Sequence, residues 1–196
     1  MPRSEAARDE RNPFAVPFVK PGAIPYLFPH GGSLDEIVAL FQALGRRGEI
    51  LGPHGSGKST LIAALLAYWK EREIPVVHYA LHAGERRLPP SAVAWNSQTI
   101  IVVDGAEQLS WWSRFRLRRR VRSTGAGLLW TTHRPLGLPT LWTTGPDPDV
   151  AQAVVDQLLR ESSVKVSADD VAATFNRCRG NLRETLFALF DVVQRR

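Results

Sequence analysis

The sequence predicts an α/β fold: a five-stranded, mainly parallel sheet flanked by helices, followed by a small C-terminal helical lid. Three observations predict it. A glycine-rich loop, Gly52-Pro53-His54-Gly55-Ser56-Gly57-Lys58-Ser59-Thr60, lies between a short strand-like run, Glu49-Ile50-Leu51, and a helical run at 61–66. A continuous run, Thr99-Ile100-Ile101-Val102-Val103-Asp104, is β-branched and ends in an acid, as a buried central parallel strand would. After Gly145-Pro146 strand patterns give way to apolar residues at helical spacing.

A chain of 196 residues with 44% hydrophobic and 22% charged residues is long enough for one well-buried domain and a small appendage. Cys178 is the single cysteine, which rules out an internal disulfide and fits a reducing compartment. No apolar run approaches the ~20 residues of a membrane span, so no membrane partner is expected. Residues 1–11 are charged and lack the apolar centre of a signal peptide, so the protein is expected to be cytoplasmic. A net charge of +6 permits weak, non-specific contact with nucleic acid without requiring it.

Three regions are expected: an N-terminal segment and helix at 1–45, an α/β core at 46–146 and a helical lid at 147–196. Residues 1–12 are polar and expected to fray. Prolines at 13, 17, 21, 25 and 29 forbid a helix there. The apolar residues between them, among them Phe14, Phe18, Ile24 and Tyr26, should dock on the core. Residues near Gly22 either pack in the same way or wall a pocket for a nucleotide base. Ser33-Leu34-Asp35-Glu36 has capping-box spacing ahead of a helix that Gly45 stops. The helix after the loop runs to about Arg72, and Pro75 to Leu81 reads as a second strand. A loop covers 82–98. A helix follows Gly105, with Leu109, Trp112 and Phe115 as its apolar stripe and Leu117 and Val121 continuing it less regularly. Its end carries six arginines in the nine residues 114–122. They either grip phosphates or form a solvated face that favours the helix C-terminus. Strands at 127–132 and 139–144 follow, then three helices, the second capped by Ser167 and the third beginning at Asn181.

The loop fills every fixed position of the G-x-x-x-x-G-K-S/T pattern, in the strand–loop–helix setting that the pattern needs. Gly52, Gly55 and Gly57 are expected to turn with positive φ so that successive N–H groups form an anion nest. The following helix adds its unpaired N–H groups and the positive end of its dipole. Lys58 would then reach the β- and γ-phosphates of a nucleoside triphosphate, and the Ser59 hydroxyl would ligate Mg²⁺. Asp104, at the carboxyl end of the central strand, is placed to hold that ion through water. ATP and Mg²⁺ are thus the expected cofactors. Hydrolysis also needs a group that orients or deprotonates water. Glu107, the nearest acid after Asp104, either serves that role or is a partner of the helix dipole, and His133 is a second polar candidate.

These residues resemble the AAA+ class of P-loop NTPases over roughly residues 45–194. The loop matches the first motif fully. Ile100 to Asp104 resembles the second, with Gly105 where relatives carry a catalytic Glu. Thr132-His133-Arg134-Pro135 is similar to the sensor 1 segment, which implies that Thr132 or His133 touches the γ-phosphate or the attacking water. Residues 146–149 resemble the start of the lid. Gly180-Asn181-Leu182-Arg183-Glu184 resembles the sensor 2 segment of replication-initiator and clamp-loader relatives, which implies that Arg183 reaches the phosphates. Only residues 134–139 separate the sensor 1 strand from the fifth strand, too few for the helix that carries an arginine finger in ring-forming relatives. A monomer or small oligomer is therefore expected.

Three readings stay open. One is an ATP-dependent switch or weak ATPase that binds ATP and ADP and acts on an unidentified protein or nucleic-acid partner. Another is a small-molecule kinase. The third is a catalytically silent nucleotide-binding interaction module.

Overall fold

The computed structural model describes residues 12–90, 93–160, 162 and 164–194; the expectation of fraying at 1–12 falls almost wholly outside them. The chain forms two compact units. One, the sheet unit, holds Ser33–Pro53 and Leu61–Thr144. The other, the helical unit, holds His54–Thr60 with the described parts of Met1–Gly32 and Gly145–Arg196. The expected N-terminal region at 1–45 is thus divided between the two, its helix going with the sheet and its proline-rich segment with the C-terminal helices.

The sheet has five strands, β1 (Arg47–Leu51), β2 (Val76–Ala80), β3 (Ile100–Asp104), β4 (Gly127–Thr132) and β5 (Thr140–Thr143). Their order is β2-β3-β4-β1-β5, and every pairing is parallel. Parallel strands are covered on both faces, which is why β3 and β4 are unbroken apolar or small-polar runs. Ile100, Ile101, Val102 and Val103 are fully buried, and all six residues of β4 are buried. Helix α1 (Leu34–Ala43) starts with the expected capping box: Ser33 Oγ accepts from the Glu36 N–H and Glu36 Oε2 from the Ser33 N–H, each at 3.2 Å. Phe41 of α1 packs on Trp69 of α2 (Lys58–Glu71), ring centroids 6.0 Å apart.

Helix α3 (Trp111–Thr124) corrects one expectation. Glu107 lies in a separate 3-10 turn, Ala106–Gln108, and Leu109 ends that turn rather than starting a stripe. The buried side of α3 is Leu117 and Val121, packed with Ile101, Val103, Leu128 and Trp130. Trp112 and Phe115, expected inside, lie on the opposite side and are exposed.

A buried carboxylate organises the connection after β4. Glu49 of β1 has no exposed surface. Its Oε2 accepts from Trp130 Nε1 at 2.9 Å and from the Leu136 and Leu138 N–H groups at 3.1 and 3.4 Å. The Arg118 guanidinium lies 4.8 Å over the Trp130 ring and donates to the Leu136 carbonyl. Burial lowers the Arg118 pKa from its usual value, and the charge of Glu49 opposes that shift.

The helical unit contains α4 (Pro148–Leu159), α5 (Ala168–Arg177) and α6 (Leu182–Gln194). Asp147, Ser167 and Asn181 accept hydrogen bonds from first-turn N–H groups of α4, α5 and α6. Val154, Val155, Val171, Leu186 and Leu189 make the core, and Phe14 completes it with no exposed surface. Asn12 Nδ2 holds the segment down by donating to the Phe190 carbonyl at 3.1 Å. Two expectations about this segment change. Val16–Val19 forms a single helical turn, which Pro17 permits because first-turn N–H groups have no intrahelical partner. Docking is also partial, since Val16 and Phe18 remain 62% and 44% exposed. Among the described residues, no helix is long and apolar enough to cross a membrane.

Candidate functional site

The glycine-rich loop belongs to the helical unit from His54 to Thr60. Gly55 (φ 70°) and Gly57 (φ 93°) take the left-handed conformation that side chains disfavour; Gly52, at φ 159°, is close to extended and does not need it. A Cβ on Gly55 would lie 1.8 Å from Asn181 Oδ1, so the residue that caps α6 rests directly on the loop. A Cβ on Gly57 would lie 3.3 Å from the Tyr26 ring. Lys58, only 8% exposed, opens α2, while Pro53 and His54 are exposed and Ser56, Ser59 and Thr60 half-buried.

A cavity inside this unit starts at the loop. Ser56, Gly57 and Thr60 line one part of it; Ile24, Tyr26, Val150 and Leu186 supply apolar wall, with Lys20 and Asp147 as polar members. Asp147 Oδ1 is already engaged with the N–H groups of Asp149 and Val150. The stretch around Gly22 thus walls a pocket, through Val19 to Pro29 rather than through Gly22 itself. Nest-forming glycines and a buried lysine beside an apolar slot suit a ligand with an anionic tail and a flat ring. Among the described residues no group of three or more His, Cys, Asp or Glu could hold a metal ion. A divalent cation here would need the ligand's own phosphate oxygens, as Mg²⁺ commonly does.

The sheet unit carries the acid and its neighbours. Thr131 Oγ1 donates to Asp104 Oδ1 at 2.5 Å and accepts from the Gly105 N–H at 2.9 Å, fixing both the carboxylate and the turn after β3. His133 Nδ1 is 2.8 Å from the Gly52 carbonyl, and Nε2 is 2.8 Å from Glu107 Oε1. A carbonyl only accepts, so Nδ1 carries a hydrogen. The second contact sets the Glu107 carboxylate against the ring, so the two side chains hold each other in place.

No protein-family model and no curated protein sequence matches the chain. Solved structures match its fold. The crystal structure of a DNA replication initiation factor aligns with a TM-score of 0.58 at 14% identity, over 86% of this chain and 62% of that one. The Thermotoga maritima RuvB Holliday junction branch migration motor aligns with a TM-score of 0.52 at 12% identity, over 78% and 57%. The fold is that of the AAA+ P-loop ATPases. The chain spans about three fifths of the length of these two proteins.

Thr132 is fully buried, and its hydroxyl donates to the Arg134 carbonyl at 2.8 Å. Its neighbour Thr131, which the sequence reading passed over, holds Asp104 instead. Strand register could have found it, since Thr131 follows Trp130, which pairs with Val103 beside Asp104. Arg183 is exposed in the first turn of α6, next to the cavity-lining Leu182. Tyr26, against the loop at Gly57, had no motif to mark it, and Asn181 was marked only as a helix start within the segment similar to sensor 2, not as a contact of Gly55. Residues 133–139, between β4 and β5, contain no helix.

Proposed function

We propose that this chain binds ATP with Mg²⁺ and works as a nucleotide-dependent switch or slow ATPase of AAA+ type, acting on a protein or nucleic-acid partner. The observation that carries this reading is the cavity of the helical unit, where the phosphate loop and an apolar slot line one space. The base would occupy the slot beside Tyr26, and the loop N–H groups and Lys58 would take the phosphates. Ser59 would ligate the ion, and Asp104, oriented by Thr131, would serve it through water. Magnesium would neutralise charge on the phosphoryl oxygens. Arg183 is proposed to report on the phosphates from α6.

Glu107 is the candidate base, yet His133 holds its carboxylate. Basal hydrolysis is therefore expected to be well below the enzyme median of ~10 s⁻¹. ATP hydrolysis is to be measured with and without DNA, RNA and candidate proteins, beside the Glu107→Gln variant. Slow turnover that a partner accelerates supports the reading. A large loss in Glu107→Gln at preserved ATP affinity makes Glu107 the base; equal turnover rejects that role. Transfer of the γ-phosphate to a small molecule would favour a kinase instead. Tight binding with no turnover under any condition would leave a silent nucleotide-binding module.

A further inference from the structure

The three aromatic residues that α3 turns away from the core form an organised surface. Trp111, Trp112 and Phe115 are 61%, 65% and 46% exposed, unusual for rings of this size. They do not splay apart. Trp111 stacks on Phe115 (15° between planes, centroids 5.8 Å), and Trp112 meets both edge-on at 4.8 and 6.0 Å. At about 100° per residue, Arg116, Arg119 and Arg122 fall on the same face of α3, opposite the buried Leu117 and Val121. All three arginines are exposed. The others in the cluster have intramolecular roles: Arg114 donates to the Leu109 carbonyl, Arg118 lies over Trp130, and Arg120 lies over Trp95. The helix has no Asp or Glu anywhere along its length.

We propose that this face of α3 binds single-stranded nucleic acid, with unpaired bases stacking on the Trp111–Trp112–Phe115 cluster and Arg116, Arg119 and Arg122 taking the backbone phosphates. Exposed rings followed by cations along one stripe match the two needs of an unpaired strand, a π-face for each base and a positive track for its backbone. A duplex keeps its bases stacked inside and cannot use the rings. From residue 111 to residue 122 the stripe rises roughly 16 Å along the helix, enough for a few nucleotides. The site is independent of the proposed nucleotide pocket, so either can fail alone.

Fluorescence anisotropy with a labelled oligothymidylate of about 16 nucleotides tests it. A duplex of equal length and inorganic polyphosphate serve as competitors. The oligothymidylate should bind in preference to both, with a log–log salt slope near about −2 for three phosphate contacts. Replacing Trp111, Trp112 and Phe115 by Ala should weaken binding by about tenfold or more and leave the salt slope unchanged. Replacing Arg116, Arg119 and Arg122 by Glu should weaken binding and flatten the slope. All six are surface residues, and circular dichroism checks that the helices persist. Wild-type affinity in the aromatic variant, equal affinity for the duplex, or no binding of the oligothymidylate at low salt would each overturn the proposal.

Discussion

Glu49 is a charged side chain with no exposed surface, held by donors on Trp130, Leu136 and Leu138 and faced by the Arg118 guanidinium. Removing one member of such a group strands the others in a low-dielectric interior. Glu49→Leu should therefore lower stability by about 3 kcal/mol in denaturant unfolding, and Glu49→Gln, whose amide oxygen still accepts, by clearly less. Equal losses would show that volume rather than acceptance matters there. In sequence, Glu49 passes as one polar residue at the head of a strand-like run. Its role was hidden because every donor comes from residues about eighty or more positions away. The pairing of Glu107 with His133 was hidden too, because the two stand on separate segments, one after β3 and one after β4. Both were named from the sequence as candidates for the water, and their contact now accounts for the slow hydrolysis proposed.

Among the elements, α6 has the clearest link to the phosphate loop. Asn181 accepts from the Glu184 N–H at 3.2 Å, capping α6, and the same amide lies against Gly55. Asn181→Ala should cost about 1 kcal/mol in unfolding stability, the usual loss for a cap. Gly55→Ala should reduce ATP affinity sharply with a smaller effect on stability, because Gly55 itself is left-handed and its added Cβ would push the Asn181 side chain off the loop. Preserved ATP affinity in Gly55→Ala would separate the α6 contact from binding. Element types were legible where one signal acted alone: the β-branched run of β3, the Ser33 capping box and the phosphate loop with its following helix. Helix α3 carries two apolar sets on opposite faces, aromatic at 111, 112 and 115 and aliphatic at 117 and 121. Periodicity finds such a helix but cannot choose which face is inside; burial against Ile101 and Trp130 makes that choice.

For the whole molecule, the five parallel strands and the helices after them were legible in the chain pattern, whereas the strand order and the grouping of the N-terminal segment with α4, α5 and α6 were not. Phe14 and Asn12 reach partners more than a hundred residues away, a contact that no local spacing signals. The connection at 133–139 has no helix to carry an arginine finger, and Glu49 holds its Leu136 and Leu138 amides. Light scattering with Mg²⁺ and ATP should report a monomer or small oligomer; a stable ATP-dependent hexamer would show that another arginine serves across subunits. The central claim is that the loop at residues 52–60 binds ATP with Mg²⁺. Isothermal titration of ATP into wild type and Lys58→Ala, with Mg²⁺ and with chelator, tests it most directly. The account predicts Mg²⁺-dependent binding by wild type and a loss of roughly a hundredfold or more in Lys58→Ala, as expected for removing a charged donor. Equal affinity in the two proteins would contradict it.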